Sequence, residues 1–469
     1  MTPQEKAEQV TKEVLLTQPH TKQLVLDSPP GAGKTGVVER LAIQGAWIHD
    51  EKVMIATQTN GQSFDLALRL ARGWKNYQVH LFTRRGLPTP EQLDRDNITI
   101  IHSLNQLPEG PVVVVANAAK WSYSNSEDAV FDLMLVDEAY QLRDAQFAQI
   151  SGFARRHVLV GDPGQIAPVV TVPTLRWQHM KDGPHVPAPQ ALLARRPQST
   201  KRMMLPASRR LPRDSVEFIQ PLFYSQLPFQ AVSDEHQRKL LCEKGHSSPA
   251  SHWDPAIDQA CSGASIVLGE MPTRITGEFD SELADQIVLL VRRLVERKSR
   301  VDDDGKKEEL SLEEVGVVCA HRSQVYAVQE RLASEGYPQV LVETADRYQG
   351  LEKKVMIVHH PLSGRMSLGD FQMDMGRFCV MLSRHRIACF VVARAGIKER
   401  LAQLSPTVSR VLNQESSPEH QGRWTHKNLL EYLESNSRIY PLGDEINQES
   451  TPKLDILPMA KARGFQLTS

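Results

Sequence analysis

Residues 24–41, LVLDSPPGAGKTGVVERL, constrain the chain more than any other stretch. An apolar run stops at Asp27, two prolines and two glycines follow, and Lys34 and Thr35 open a helical pattern. That order matches the phosphate-binding pattern G-x-x-x-x-G-K-[ST], set after a strand and before a helix. Ser28 fills the first glycine slot, followed by Pro29, Pro30, Gly31, Ala32, Gly33, Lys34 and Thr35. Glycines let backbone N–H groups turn toward phosphate oxygens, and the helix that follows aims its positive end at the same anion. Lys34 would neutralise phosphate charge and the Thr35 hydroxyl would ligate Mg²⁺. Without its context the stretch also reads as a Gly/Pro turn.

A loop of this kind needs a parallel sheet to carry it. The runs 23–27, 52–58, 112–117, 133–139 and 157–162 are almost wholly apolar, which suits strands covered on both faces. Helical patterns such as 63–74 separate them, so the first two hundred residues read as a doubly wound α/β unit. The rhythm breaks at about 171–200, rich in proline and polar residues. It breaks again at about 229–262, which reads as irregular. It resumes with a helix at 281–298, a strand at 313–321 followed by a helix, and strands at 339–346, 355–361 and 388–394. The predicted organisation is a first domain at 1–205, a second at 206–413 and a C-terminal extension at 414–469 with a weak helix at 426–436. The charge run 296–310 reads as a solvated, mobile loop.

The second half of a nucleotide site lies in FDLMLVDEAY. Asp137 and Glu138 end a buried strand, and two adjacent carboxylates there are costly unless they hold a cation or a proton in transit. Asp137 would bind the Mg²⁺ shell, and Glu138 would orient or deprotonate the attacking water. The residues so far describe an NTP hydrolase. With 469 residues, two or three domains are expected. No run of eighteen apolar residues occurs, so no membrane role is expected, and the charged first residues lack the core of a signal peptide. That points to a cytoplasmic protein. The five cysteines form no C-x-x-C pair, which disfavours zinc ribbons, and a net charge of −1 neither favours nor excludes nucleic acid.

Five segments in order resemble superfamily 1 helicases: SPPGAGKT, DEAY, VLVGDPGQIAPVV (158–170), ETADRYQGLEKKVMIV (343–358) and GRFCVMLSRHR (376–386). The Y-Q-G-x-E form resembles the branch of RNA-surveillance helicases, with the RecD-like branch as a second possibility. Met381, His385 and Leu351 depart from the usual letters and mark a divergent member. The resemblance implies two RecA-like P-loop domains with parallel sheets and ATP with Mg²⁺ in the cleft between them. Gln165 would sense the γ-phosphate, and Arg384 would reach across the cleft as an arginine finger. Arg210, with Arg209 as an alternative, would be a second γ-phosphate contact. Gly350 and Glu352 would lie near the ribose, and Gln4 would read the adenine edge. Taken alone, Gln165 is also an ordinary turn residue and Arg384 a surface salt-bridge partner.

The resemblance further implies a motor that couples ATP hydrolysis to 5′ to 3′ movement along single-stranded DNA or RNA. Thr57 and Asn60 in the first domain and His321 and Thr344 in the second are the candidate grips on the strand. Thr57 and Asn60 serve equally as a strand-to-helix cap. Arg195, Arg196, Lys201, Arg202, Arg209, Arg210 and Arg213 would line a phosphate track or a solvated linker. The chain is read as a monomer, with no protein partner legible. A switch ATPase that does not unwind and a non-hydrolysing nucleic-acid scaffold are the alternatives.

Overall fold

The computed structural model describes residues 1–125, 130–170, 172–177, 180–234, 237–243, 250–365, 368–403 and 418–443. Eight strands build the first sheet: β1 (Gln23–Asp27), β2 (Lys52–Thr57), β3 (Val79–Phe82), β4 (Ile98–Ile101), β5 (Val112–Asn117), β6 (Phe131–Val136), β7 (Ala154–Gly161) and β8 (Thr200–Met204). Their order is β4-β3-β5-β2-β6-β7-β1-β8, and every pairing is parallel. The alternation of a strand's side chains sends Leu24 and Leu26 to one core and Val25 to the other, so β1 is buried on both faces. Each such side chain contributes about 1.5–3 kcal/mol of burial, and this fixes where β1 ends and hence where the loop after it begins.

The chain crosses to its second half at residues 205–211. Leu205 packs in the first sheet's core and Leu211 in the second's. The short strands β9 (Ala207–Ser208) and β10 (Gln230–Ala231) pair with each other. Then come β11 (Arg238–Leu241), β12 (Ile266–Met271), β13 (Arg300–Asp303), β14 (Lys306–Glu309), β15 (Val315–Cys319), β16 (Leu341–Thr344), β17 (Lys353–His359), β18 (His385–Arg394) and β19 (Ile439–Pro441). Six form a second parallel sheet, ordered β16-β15-β17-β18-β12-β19, with apolar cores on both faces. Strands β11, β13 and β14 form a small antiparallel sheet beside it.

Several expectations are corrected. The charge run 296–310 is a hairpin, β13–β14, because Asp304 and Gly305 both take positive φ (56° and 90°) at its tip. Asp-Gly is a preferred pair for such tight turns. The proline-rich 171–200 stretch contains the helix Ala188–Arg195, whose Ala188 and Leu192 enter the first core. The 229–262 stretch holds β10, β11 and the helix Asp254–Cys261. The expected extension is not separate: Leu429, Leu430 and Leu433 of the helix Pro418–Ser435 lie in the second core, and β19 pairs with β12. Residues 444–469 of that expected extension lie outside the described residues. No described helix is long and apolar enough to cross a membrane.

Candidate active site

The loop after β1 is anchored before it turns. Asp27 is fully buried and accepts from the Tyr140 hydroxyl at 2.6 Å and Arg202 Nε at 2.7 Å. Ser28 N donates to the Gly161 carbonyl at 2.9 Å, tying the loop to the end of β7. Gly31 and Gly33 take φ of 70° and 89°, the left-handed region that glycine enters without strain. Gly31 has a second reason to lack a side chain: a Cβ there would sit 2.2 Å from the Arg210 Cβ. Gly33 caps the helix Lys34–Ile43, whose N-terminal end therefore faces the loop. Ser28 is buried, with its hydroxyl 3.4 Å from the Pro29 carbonyl, so serine is accommodated at the first glycine slot.

Residues 208–210 strap the loop from outside. Ser208 Oγ donates to the Pro30 carbonyl at 2.7 Å, Arg209 N to Gly31 at 2.9 Å and Arg209 Nη1 to Ala32 at 2.6 Å. Gln4 Oε1 accepts from Arg209 Nε at 3.1 Å, and its amide nitrogen donates to Glu8 at 2.5 Å. Gln4 thus lies beside the loop with its amide bound to side chains.

The acidic pair faces the same loop. Asp137 N is held by the Ala56 carbonyl at 2.9 Å, and Asp137 Oδ1 accepts from Glu138 N at 2.9 Å, with the Thr35 side chain in its neighbourhood. Burial and the neighbouring Glu138 charge push the Asp137 carboxyl well above the usual carboxylate range, opposed by Lys34 and Thr35. Glu138 takes a left-handed backbone (φ 51°), uncommon for a side chain of its kind, and its carboxylate stands 3.6 Å from Lys34 Nζ. Gln165 Nε2 donates to Asp162 Oδ2 at 2.8 Å, while its buried Oε1 has no partner. Asp162, at the end of β7, also accepts from Gly164 N at 3.0 Å and from the Tyr224 hydroxyl at 2.8 Å. Burial raises its pKa. Tyr224 belongs to the second core, so this bond joins the halves.

Two arginines complete the cleft. Arg210 is committed: Nε donates to Glu352 Oε2 at 2.7 Å and Nη1 to the Ser383 carbonyl at 3.3 Å. Arg384 is 1% exposed, and its Nε and Nη2 have no hydrogen-bond partner. Burial first, then the Arg210 charge, lowers its pKa to about 10, while the charges of Asp162 and Glu138 oppose the shift. Arg384 therefore shares one electrostatic neighbourhood with the carboxylates around Lys34. Arg384 is not the exposed salt-bridge residue that its letter alone would allow. Gly350 has φ 82° with open space where a Cβ would stand, and Glu352 also lies 3.6 Å from Arg386.

The candidate strand grips all sit at carboxyl ends of strands, where open α/β sheets bind ligands. Thr57 ends β2, but it is buried, and its hydroxyl is spent on Ser63 Oγ (2.7 Å) and the Thr59 carbonyl (3.1 Å). Thr59 is the N-cap of the helix Asn60–Gly73, so Thr57 supports the turn while Asn60 is exposed and bonded to Asn117. His321 caps the helix Arg322–Ser334 and packs its ring 5.0 Å from Phe371. Thr344 ends β16, and its carbonyl accepts from Arg347 and Tyr348. Four members of the basic cluster are engaged by carboxylates. Arg195 pairs with Asp144, Arg202 with Asp27, Arg210 with Glu352 and Arg213 with Glu217.

Residues 190–396 match the family model described as an AAA domain. The Schizosaccharomyces pombe protein named DNA replication ATP-dependent helicase/nuclease dna2 is 24% identical over 383 residues, spanning 77% of this chain and 26% of that protein. The Mus musculus protein of the same name is 23% identical over 418 residues, 80% of this chain and 35% of that one. The chain is superfamily 1 helicase-like. It carries two parallel sheets, and its P-loop pattern follows the first strand of the first sheet. The helicase-like chain spans about a quarter to a third of the length of these curated relatives. Solved structures of the PRRSV helicase and of Arterivirus nonstructural protein 10 cover 82% of this chain, and 54% and 61% of theirs. Their identities are 15% and 13%, and their TM-scores 0.40 and 0.42.

The helicase-like chain places further residues in its cleft that the motifs did not single out. Asp162 lies inside a quoted motif, between a strand end and a Gly turn, and a buried carboxylate there was a readable signal. Tyr140 and Tyr224 left no such signal, because each acts through a hydroxyl whose partner is distant in sequence. Arg238, buried, donates to the carbonyls of Arg210 at 2.6 Å and Arg209 at 2.8 Å, holding both from the small antiparallel sheet.

Proposed function

We propose that this chain hydrolyses ATP with Mg²⁺ in the cleft between its lobes and couples that hydrolysis to movement along single-stranded nucleic acid. The observation that carries the reading is Arg384. A buried guanidinium with two unpaired nitrogens, set among Asp162, Glu138 and Arg210, is in want of an anion. A triphosphate held on the first lobe by Gly31, Gly33 and Lys34 supplies one.

The roles follow from the chemistry of each group. The backbone of 29–33 and Lys34 would hold the phosphates, and Thr35 and Asp137, which lie in one neighbourhood, would hold the metal. Two protein oxygens suit Mg²⁺, which keeps several waters. When bound, Mg²⁺ neutralises charge on the phosphate oxygens. Glu138 would take a proton from the attacking water, with Lys34 releasing it to do so. Gln165, tethered to Asp162, would orient that water through its unpaired Oε1. Arg384 would stabilise charge spreading on the transferred phosphoryl group. Arg210 would exchange Glu352 for phosphate as the lobes close. Loss of the γ-phosphate removes the group both lobes grip, and the lobes part.

The strand is read as DNA or RNA, contacted from Asn60 on the first lobe and from His321 and Thr344 on the second. The names of two curated relatives, DNA replication ATP-dependent helicase/nucleases, favour DNA. ATP turnover with and without single-stranded DNA and RNA, followed by displacement of duplexes bearing 5′ or 3′ tails, tests the reading. Strand-stimulated turnover with displacement from a 5′ tail is expected. Stimulation without displacement would leave a switch ATPase, and no turnover would leave a scaffold.

A further inference from the structure

Among the described residues, two buried arginines each have two guanidinium nitrogens without a partner: Arg384 and Arg365. The first faces the nucleotide cleft. The second lies elsewhere. Arg384 precedes β18 and its carbonyl accepts from Lys353 at the start of β17, whereas Arg365 closes the loop that follows the end of β17. The length of β17 separates these two edges by roughly 20 Å. A triphosphate in the cleft therefore leaves Arg365 unanswered.

Arg365 is 4% exposed. The segment after β12 crosses over its loop: Thr276 N donates to the Gly364 carbonyl at 2.9 Å, and a Cβ on Gly364 (φ 64°) would meet Thr276 Oγ1 at 2.3 Å. Two carboxylates lie in range of its charge, Glu278 and Asp280. Asp280 is already occupied by Arg394, at 2.6 and 2.8 Å, and Glu278 has 72% of its side chain in solvent. Neither supplies a bond to Arg365. His321 Nε2 and Thr276 Oγ1, in the same neighbourhood, are also buried without partners. Beside them stands an exposed aromatic ring. Phe371 has His321 at 5.0 Å and the Arg377 guanidinium at 4.2 Å from its centroid, with Arg377 also near Asp346 (3.4 Å) and Asp374 (3.6 Å).

We infer that Arg365 receives a backbone phosphate of a single nucleic-acid strand and that Phe371 stacks an adjacent base. This rests on the proposed function, and it assigns two residues that lie between the recognised motifs. A planar guanidinium matches a phosphodiester with two parallel bonds. A phenyl ring accepts any base, so the contact reads no sequence. His321, one of the grips expected from the sequence, contacts the Phe371 ring and feels the Arg365 charge.

The test is fluorescence anisotropy of a labelled oligo-dT on the full chain across a salt series. Arg365→Gln is expected to weaken binding about tenfold and to make the slope of log K against log salt shallower by about 0.7, one phosphate contact on a single strand. Phe371→Ala is expected to weaken binding about tenfold with the slope unchanged, and Phe371→Trp to retain affinity. Phe371 is partly exposed, so its variants keep the fold if Arg365→Gln does not. Parent-like affinity and slope in Arg365→Gln, or parent-like affinity in Phe371→Ala, would overturn the assignment. So would displacement of the oligonucleotide by millimolar inorganic phosphate with no effect of Phe371→Ala, which would mark a free-phosphate site. A parent chain that binds no strand would instead sink the proposed function, and this site with it.

Discussion

Lys34 and Glu138 stand 3.6 Å apart, both largely buried, so the proposed phosphate-binding lysine and the proposed base form an ion pair. Their removal should therefore have different consequences. Lys34→Ala should abolish turnover and weaken nucleotide binding, because the phosphate charge loses its counter-ion. Glu138→Gln should keep nucleotide binding and stall turnover, read by equilibrium binding and single-turnover hydrolysis. Normal turnover in Glu138→Gln would remove it as the base. Asp137 gives a pH signature. Burial and the Glu138 charge raise its carboxyl above the usual range, and as the proposed Mg²⁺ ligand it would have to ionise. Metal-dependent nucleotide binding should therefore tighten as pH rises through neutrality and release a proton, measurable by calorimetry in buffers of different ionisation enthalpy. Binding that is flat between about pH 6 and pH 8 would contradict this.

The small antiparallel sheet links an unremarked hairpin to the nucleotide loop. Arg238 on β11 pairs with Asp303 and Asp304 on the hairpin and holds the Arg209 and Arg210 carbonyls. Arg238→Ala leaves the Arg209 and Arg210 carbonyls without this donor, while Asp303 keeps Arg386 and Asp304 is partly in solvent. The substitution should cost about 1–3 kcal/mol by chemical denaturation. It should also raise the KM for ATP, since Arg209 bonds Gly31 and Ala32 and Arg210 packs against Gly31. A loss of under about 1 kcal/mol would show that the sheet is decoration. Legibility also turns on elements. Strands β1, β2, β5, β6 and β7 announce themselves as apolar runs because both faces are buried. Strand β8, TKRMM, is hidden because it pairs only with β1, leaving Lys201 and Arg202 exposed at the sheet's edge. The hairpin β13–β14 was masked by its charges, although its Asp-Gly turn was readable. In the site, Lys34, Asp137 and Glu138 are legible from local spacing. Asp162, Tyr224 and Arg238 owe their positions to contacts between segments 28 to 62 residues apart, which no local pattern encodes.

Taken whole, the second lobe buries four imidazoles whose pKa burial lowers. His359, His385 and His426 are each pushed down to about 3 by burial, and His360 is pushed well below its ordinary value. A histidine whose folded pKa is lowered binds its proton more readily when unfolded, so its stability contribution is present above about pH 6.5 and lost as pH falls toward 3. Each contributes about 1.4 kcal/mol per pH unit across that window. Asp137 and Asp162, whose carboxyls are raised, act in the opposite direction but are outnumbered. The urea midpoint should therefore fall steadily between about pH 6 and pH 4, and a midpoint that stays level would contradict the neutral, buried state of these rings.

At the same scale lies the claim on which the account depends, that one triphosphate is gripped by both lobes. It is tested most directly by the turnover number and nucleotide affinity of Arg384→Ala measured side by side. The account predicts a fall in turnover of roughly a thousandfold or more, with nucleotide still bound through the first lobe. Turnover equal to that of the parent would contradict it, because the guanidinium of the second lobe would then play no part in the chemistry of the first.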